Sequence, residues 1–411
     1  MKSAVVVLAS VNLPAHAQES AVTAPGFGSP DTVENLIIDD RLAVPSLSEG
    51  IDLQPWFDWK DELEATTGFS FGIDYTALGF ASTSDADIHK SSGGIARFFG
   101  SWSLVNRGTP EDGALVFKVE KRNRYSQIPP GGWGLGALGY VGVIGGPFSD
   151  QEGRWTNLYW RQRFNQGRST VIAGYLDVTD YVDTFVGGSP WTGFTNLVFS
   201  TGSAAVFLPN DATLGIAGAT MLGENFYVIG GITNAYSDPT HPFDDSFDRL
   251  FNDGEHFKSI EIGWTASQGR IYNDNTHITL WHVDESIKAG TQDGWGIAFS
   301  HVRQFGDWTP FIRGGWTDEG GSLLQKSVSV GFLYSVHDRG DQFGLGLNWG
   351  QVNEATFLPG LDDQYTMEAY YRAQITPQIA VTPSVEYVHN PALSTVDDDF
   401  WLFGLRARIA L

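Results

Sequence analysis

The sequence contains no cysteine, and it contains no long apolar run. The absence of cysteine excludes disulfides, thiolate metal sites and a cysteine nucleophile. No apolar stretch reaches the roughly 18 residues of a membrane-spanning helix, which excludes a helical membrane protein. Basic residues are also scarce: 25 Lys and Arg stand against 48 Asp and Glu, for a net charge of −23. Nucleic-acid binding is therefore disfavoured, because a negative field repels phosphates.

The 411 residues do include 49 glycines, and 13% of them are aromatic. With 42% hydrophobic residues the chain is too apolar to be disordered. Its mean hydropathy is nevertheless only −0.15. The length would suit two or three soluble domains, but an all-β barrel can use it as a single domain. The order of apolar and polar residues along the chain decides between these possibilities.

Residues 1–17 have the pattern of a secretory signal peptide. Lys2 precedes a short apolar stretch, and the small residues Ala15 and Ala17 fit the cleavage rule. We therefore predict export and cleavage near Ala17; a buried N-terminal strand is the alternative. The segment that follows, residues 18–65, is predicted to stay in the periplasm.

This periplasmic segment combines an irregular part with one short helix. Prolines recur among small and acidic residues up to residue 55, which predicts mostly irregular structure. Trp56, Trp59 and Leu63 then lie at helical spacing, and Gly68 is placed to end that helix. We interpret it as a helix that caps the fold rather than as part of a cofactor site.

From residue 66 onward, apolar residues recur at every second position. In residues 342–350, for example, Phe343, Leu345 and Leu347 share one face, and polar residues and glycines share the other. Such alternation is typical of a sheet with one apolar and one polar face. The alternating runs are about ten residues long, which suits strands that cross a membrane better than the five- or six-residue strands of a soluble sandwich. The mean hydropathy is low because the two faces average out.

Residues 66–411 are therefore predicted to form an all-β, transmembrane antiparallel β-barrel of sixteen strands. The connections support it, since tight turns alternate with long segments such as 126–151 and 179–210. Short turns on one side and long loops on the other are typical of bacterial outer-membrane barrels, which are surrounded by lipid. The predicted strands lie near residues 66–82, 91–105, 112–125, 152–166, 168–178, 211–221, 225–235, 255–267, 271–284, 292–305, 308–317, 323–337, 340–352, 364–376, 378–390 and 398–410.

In such a barrel the polar face of each strand lines the lumen, where it places arginines beside carboxylates and aromatic rings. Guanidinium and carboxylate groups both form hydrogen bonds with hydroxyls, a combination that suits neutral sugars. The alternative is that these charges only neutralise one another. The alternation predicts as channel-lining residues Arg97, Glu120, Arg122, Arg124, Trp155, Tyr159, Arg161, Arg163, Tyr175, Asp177, Arg313 and Arg372.

A sixteen-stranded barrel is wide enough for an aqueous channel, so selectivity needs a constriction. The long segment 179–210 is the candidate, because aromatic residues such as Trp191 and Phe194 favour packing inside the barrel over a disordered external loop. We therefore add Trp191 to the predicted channel residues.

Three segments resemble the carbohydrate-selective outer-membrane porins of the OprB type. They are EAYYRAQITPQIAVTPSVEYVHNP at 368–391, GYLDVTDYVD at 174–183 and WTPFIRGGW at 308–316. The resemblance extends over roughly residues 56–411 and implies a sixteen-stranded barrel that passes sugars through a narrow, partly arginine-lined channel. It also implies that Asp177, Asp180 and Asp183 lie near the constriction, with Arg313 and Arg372 on the wall.

Two positions depart from what the resemblance implies. Residue 411 is a leucine where such barrels usually end in phenylalanine, and residue 175 is a tyrosine where a basic residue is expected. The first bears on recognition by the assembly machinery, and the second on which solute is preferred.

The leading functional hypothesis is passive, selective diffusion of mono- or small oligosaccharides through a water-filled channel. A general or anion-preferring porin is the alternative, supported by the lumen arginines and weakened by the nearby carboxylates. An enzyme is not predicted, because no GxSxG, HExxH or P-loop motif is present. We expect no metal, no cofactor and no nucleic-acid partner; an adhesive barrel and a homo-oligomer remain open.

Overall fold

The computed structural model describes residues 27–41, 45–336 and 339–411. The predicted signal peptide, residues 1–17, and its cleavage near Ala17 lie outside the described residues. Among the residues that are described, no helix is long and apolar enough to cross a membrane.

The described residues form a closed barrel of sixteen antiparallel strands, as predicted. Each strand pairs with its neighbours along the chain, and β1 pairs with β16 to close the sheet. At this seam Asp74 lies opposite Ala410, and the Leu411 N–H donates to the Ile73 carbonyl oxygen over 2.8 Å. Closure pairs the backbone of every strand on both sides, which a sheet in lipid requires.

The strands and their bounds are β1 (Phe69–Ser82), β2 (Lys90–Val105), β3 (Gly113–Arg124), β4 (Glu152–Phe164), β5 (Ser169–Leu176), β6 (Thr213–Leu222), β7 (Phe226–Asn234), β8 (His256–Thr265), β9 (Asn275–Val283), β10 (Gly294–Val302), β11 (Trp308–Glu319), β12 (Leu324–Val336), β13 (Asp341–Val352), β14 (Gln364–Thr376), β15 (Ile379–His389) and β16 (Asp399–Ala410).

The apolar face of the sheet points outward. On β13 and β16, Leu347 is 48% exposed and Leu405 57%, whereas the adjacent polar residues Asn348 and Arg406 are buried. A soluble protein would bury the first set and expose the second. An outward apolar band and a polar interior are the arrangement of an outer-membrane barrel.

The two ends of the barrel differ in their connections. Residues 165–168 and 223–225 form tight turns at one end, while residues 125–151, 177–212 and 235–255 form long loops at the other. Long loops face outward from the cell in barrels of this kind, so the tight turns lie at the periplasmic end. The segment 177–212, called the inner loop below, folds into the barrel.

Two helices precede the barrel. The predicted helix is present as α2 (Gln54–Thr67), which ends at Gly68 with a φ of 79°. It lies on the outer face, where the rings of Trp56 and Trp59 pack edge-on against Phe71 at 5.9 Å. The first helix, α1 (Val33–Arg41), falls in the part of the chain predicted to be irregular.

Helix α1 lies inside the barrel rather than beside it in the periplasm. Its residues Val33, Leu36 and Ile37 are buried in one apolar cluster with the inward-facing Phe99 and Val116. The spacing of these three residues is that of one helix face, which explains why this short stretch becomes helical. The periplasmic location predicted for residues 18–65 is thereby corrected for α1.

Candidate channel and constriction

The inner loop is anchored to the barrel wall through Asp183. Its carboxylate pairs with the Arg313 guanidinium on β11 and accepts a hydrogen bond from His277 Nε2 on β9 over 2.8 Å. The Asp183 N–H donates to the carboxylate of Glu261 on β8 over 3.0 Å. Burial raises the pKa of Asp183, but the Arg313 charge and the His277 hydrogen bond outweigh it and hold the pKa below its usual value.

A second anchor lies on β14 and β15, farther along the sheet. Glu368 on β14 and Glu386 on β15 face each other across the two strands, and both are fully buried. The Glu368 carboxylate accepts the backbone N–H groups of Thr195 and Asn196 over 2.8 and 3.0 Å. The Asn196 side-chain amide donates to Glu386 over 3.0 Å. Arg406 adds two hydrogen bonds to carbonyl oxygens of the same loop. The inner loop is thus fixed near its start, at Asp183, and in its middle, at residues 190–196.

Arg97 and Trp191, both predicted from the sequence, come together at the inner loop. The Arg97 guanidinium carbon lies 3.8 Å from the centroid of the Trp191 ring. Asp74 on the neighbouring strand accepts the Arg97 Nε–H over 2.8 Å. The guanidinium is therefore sandwiched between a carboxylate and an aromatic face, an arrangement that gives both a cation–π contact and a charged hydrogen bond.

A cavity of about 570 Å³ lies between the inner loop, the loop 125–151 and the wall formed by β3 and β4. Lys118, Glu120 and Arg122 project into it from β3, and Arg154 from β4. We call these four residues the open wall. The Arg122 Nε–H donates to Glu120 over 2.7 Å, and both Arg122 and Arg154 pair with Asp211, at 3.2 and 2.7 Å. The open wall thus offers charges of both signs side by side.

Two carboxylates of the inner loop complete the cavity. Asp177 Oδ1 accepts the Thr179 N–H over 3.0 Å, and Asp180 Oδ2 accepts the Asn157 amide over 3.0 Å. Lys118 Nζ lies 3.8 Å from Asp180 Oδ1. Burial raises the pKa of Asp180 to about 7 even though Lys118 opposes the shift, and burial together with Asp211 raises the pKa of Asp177. Asp180 therefore titrates near neutral pH.

Apart from Trp155 and Tyr175, the predicted residues fall into four groups. The cavity is lined by Glu120, Arg122, Asp177, Asp180, Asp183 and Trp191. Arg97 and Arg313 face inward but are covered by the inner loop, with exposures of 2% and 1%. Arg124 lies at the external rim, paired with Asp150 at 3.2 Å.

The fourth group lies nearer the periplasm. Arg161 and Arg163 contact Glu34 of α1, and Tyr159 belongs to the apolar cluster around that helix. Arg372 lies in the electrostatic environment of Asp39 and Arg408, away from the open wall. The structure therefore separates Arg372 from Glu120 and Arg122 instead of gathering them in one ring.

Trp155 and Tyr175 require a correction, since both face outward. A bulge at Thr156 pairs Trp155 with Val119 and turns Arg154 inward in its place. Tyr175 lies opposite Leu158 on the apolar face, and its ring packs edge-on against Phe243 at 5.2 Å. The presence of tyrosine instead of a basic residue at position 175 therefore does not change the lining of the lumen.

Sequence reasoning missed several residues at the cavity, namely Arg154, Asp211 and the segment Ser29–Asp31. Arg154 was hidden because nothing in the sequence marks the bulge that turns it inward. Asp211 lies where the inner loop returns to the sheet, so only the course of that loop reveals its pairing with Arg122 and Arg154.

Taken together, the closed sixteen-stranded barrel, the outward apolar band and the in-folded loop define a porin-type channel of the outer membrane. Residues 286–411 match the model of the OprB family, described as carbohydrate-selective porins. This confirms the resemblance seen in the sequence and indicates an outer-membrane protein. Proteins of this family and fold are channels rather than enzymes.

Solved structures support the same fold. The chain resembles the high-pH structure of Pseudomonas putida OprB with a TM-score of 0.66 and 15% identity, covering 87% of this chain and 97% of that one. The low-pH structure of the same protein matches with a TM-score of 0.52 and 13% identity, covering 89% of this chain and 99% of that one. An engineered variant of Rh. blastica porin matches with a TM-score of 0.53 and 11% identity, covering 84% of this chain and 100% of that one. No curated protein sequence matches the chain.

Proposed function

We propose that this protein is a porin for the passive diffusion of neutral carbohydrates, of the size of mono- or small oligosaccharides. The observation that carries the proposal is the open wall with its loop partners, where Glu120, Arg122, Arg154 and Asp211 form a continuous row of paired charges. Guanidinium and carboxylate groups that line a cavity can both form hydrogen bonds with hydroxyls, which suits a solute that carries many of them.

The charge balance of the cavity favours neutral solutes over anions. Seven carboxylates line it, from Asp31, Glu120, Asp150, Asp177, Asp180, Asp183 and Asp211. The cationic groups in the lining are three, Lys118, Arg122 and Arg154, and Arg313 behind the lining neutralises Asp183, so carboxylates remain in excess. An anion entering this cavity meets net repulsion, whereas a neutral sugar does not. The anion-preferring alternative is weaker for this reason.

Conductance and flux together test the proposal. Purified protein in a planar bilayer should form channels whose current falls as glucose is added, and proteoliposomes should swell in neutral monosaccharides faster than in anionic sugars of similar size. The variant Arg122→Ala should reduce sugar block, while Arg124→Ala at the external rim is the matched control.

Absence of channels would refute a porin of any kind. Channels that phosphate blocks and neutral sugars leave unaffected would establish the anion-preferring alternative instead. Equal loss of sugar block in Arg122→Ala and Arg124→Ala would show that the solute path does not follow the open wall.

A further inference from the structure

Helix α1 occupies the lumen directly below the cavity. The cavity floor is formed by Ser29, Pro30 and Asp31, the residues that lead into the helix. The Ser29 N–H donates to the Asp180 carbonyl oxygen over 2.7 Å, and Asp31 Oδ1 accepts the Ser189 hydroxyl over 2.7 Å. A solute that leaves the cavity toward the periplasm therefore meets this segment first.

Charged side chains connect the two ends of α1 to the barrel wall. Near its start, Glu34 pairs with Arg161 and lies 2.6 Å from Arg163 Nη2, both on β4. Near its end, Asp40 Oδ1 lies 2.9 Å from Arg408 Nη2 on β16. Strands β4 and β16 are separated in the sheet by β1, β2 and β3, so α1 crosses the face of this whole sector.

The apolar side of α1 explains a feature of the wall that the barrel alone does not. Phe99, Val116 and Leu176 point into the lumen, where an aqueous channel would expose them to water. Instead they are buried in one apolar cluster with Val33, Leu36 and Ile37. The apolar wall of this sector is thus suited to contact with the helix and not with solvent. Burying its apolar area stabilises the docked helix.

We infer that residues 27–41 are a resident plug, whose position sets the width of the channel and hence the size of solute that passes. The inference rests on the proposed porin function. A helix with its side chains is about 10–12 Å across, a large share of the bore of a sixteen-stranded barrel. Weakening the charged contacts of α1 should therefore widen the path without altering the open wall.

The primary test is the double variant Glu34→Gln/Asp40→Asn in the full chain. It removes two charges that pair with the wall and keeps the shape of both side chains. We expect single-channel conductance to rise about twofold, and liposomes to admit larger oligosaccharides that the wild type excludes. The matched control is Asp58→Asn/Glu62→Gln, which removes two charges from exposed positions of α2 outside the barrel.

A cysteine pair separates movement of α1 from the change in charge. The chain has no cysteine, so Asp31→Cys and Ser189→Cys introduce its only thiols, at positions whose side chains are in contact. Added to the double variant and oxidised, this pair should return conductance to the wild-type level. Reduction should restore the higher conductance.

Each outcome has a distinct meaning. Wild-type protein without channels overturns the proposed function and leaves α1 as a structural helix. Wild-type channels whose conductance is unchanged by the double variant, with or without the disulfide, overturn the plug alone. Folding is checked by the heat-dependent change in electrophoretic mobility; if the double variant does not fold, the single variant Glu34→Gln is measured against Glu62→Gln with the same criteria.

Discussion

Two of the arginine-containing sides of the lumen differ in what covers them. On the anchored side, formed by Glu261, His277 and Arg313, the inner loop places Asp183 directly over the wall. On the open wall, Arg122 and its neighbours face the cavity. The same types of side chain therefore only hold the loop in one place, whereas in the other they pair with the loop residues Asp180 and Asp211 and also line the cavity. Their role is decided by the path of the inner loop rather than by the strands that carry them.

This difference also determines how each side responds to substitution. A charge that is fully buried with its partner leaves that partner unpaired when it is removed, at a cost of several kcal/mol. On the open wall the loss is smaller, since Asp211 pairs with both Arg122 and Arg154 and keeps one partner when the other is removed. Stability and transport should therefore respond in opposite order on the two sides.

The largest effect is expected for Arg313→Ala. It leaves the Asp183 carboxylate buried without its cation, which should lower the free energy of unfolding by about 3–5 kcal/mol. Urea unfolding in detergent micelles measures this, and Arg124→Ala at the exposed rim should change it by less than about 0.5 kcal/mol. A similar small change for both variants would mean that the anchored side is not stabilised by this pair.

The comparison requires that inward and outward faces are assigned correctly, which Leu347→Arg tests. Leu347 lies near the middle of β13 on the lipid-facing side. An arginine near the bilayer midplane should cost about 2–4 kcal/mol. The measurement is unfolding from lipid vesicles, with Leu347→Ala as the control for lost packing. An arginine variant as stable as the alanine variant would place this residue away from the hydrocarbon.

On the open wall, Arg122→Ala should affect transport more than folding. The stability loss should stay below that of Arg313→Ala, because Asp211 keeps Arg154 as its partner when Arg122 is removed. Glucose affinity, measured from the block of channel current, should fall about tenfold, equivalent to roughly 1.4 kcal/mol for one charged hydrogen bond. If instead stability falls as far as in Arg313→Ala, the distinction between the two sides disappears.

The smallest effect concerns pH. Because the pKa of Asp180 is raised to about 7 by burial, this carboxyl is neutral below that pH and negatively charged above it. The preference of the channel for cations should therefore increase as the pH is raised from about 5 to about 8. Reversal potentials in a salt gradient measure the preference. Asp180→Asn should flatten the profile, and Asp150→Asn, another carboxylate at the cavity, should retain it.

Much of the barrel follows from the sequence, because a two-residue period is a local property of each strand. Leu347, Arg313 and Glu386 all face as the alternation predicts. The inward folding of the inner loop also follows from aromatic residues such as Trp191, which need a partner surface. Residues whose surroundings are set by the strand alone were therefore predictable.

The errors occur where a distant segment changes what a strand touches. Ile172 and Leu176 are apolar and yet face the lumen, where they join the apolar cluster that contains the α1 residues. Their alternation therefore suggested the opposite orientation and misplaced Tyr175. The bulge at Thr156 shifted Trp155 in the same way. Long-range packing likewise determines which arginines lie beneath the inner loop, and local periodicity does not predict it.

The seam between β1 and β16 has a consequence for folding kinetics. It joins residue 74 to residue 410, so the contact that completes the barrel has nearly the largest sequence separation the chain allows. Contacts of this kind form slowly, because the chain loses the conformational entropy of a long loop before the new contacts stabilise it. Until β16 arrives, β1 presents a row of unpaired backbone groups that can recruit other chains. Assembly should therefore be all-or-none, with aggregation as its main competitor.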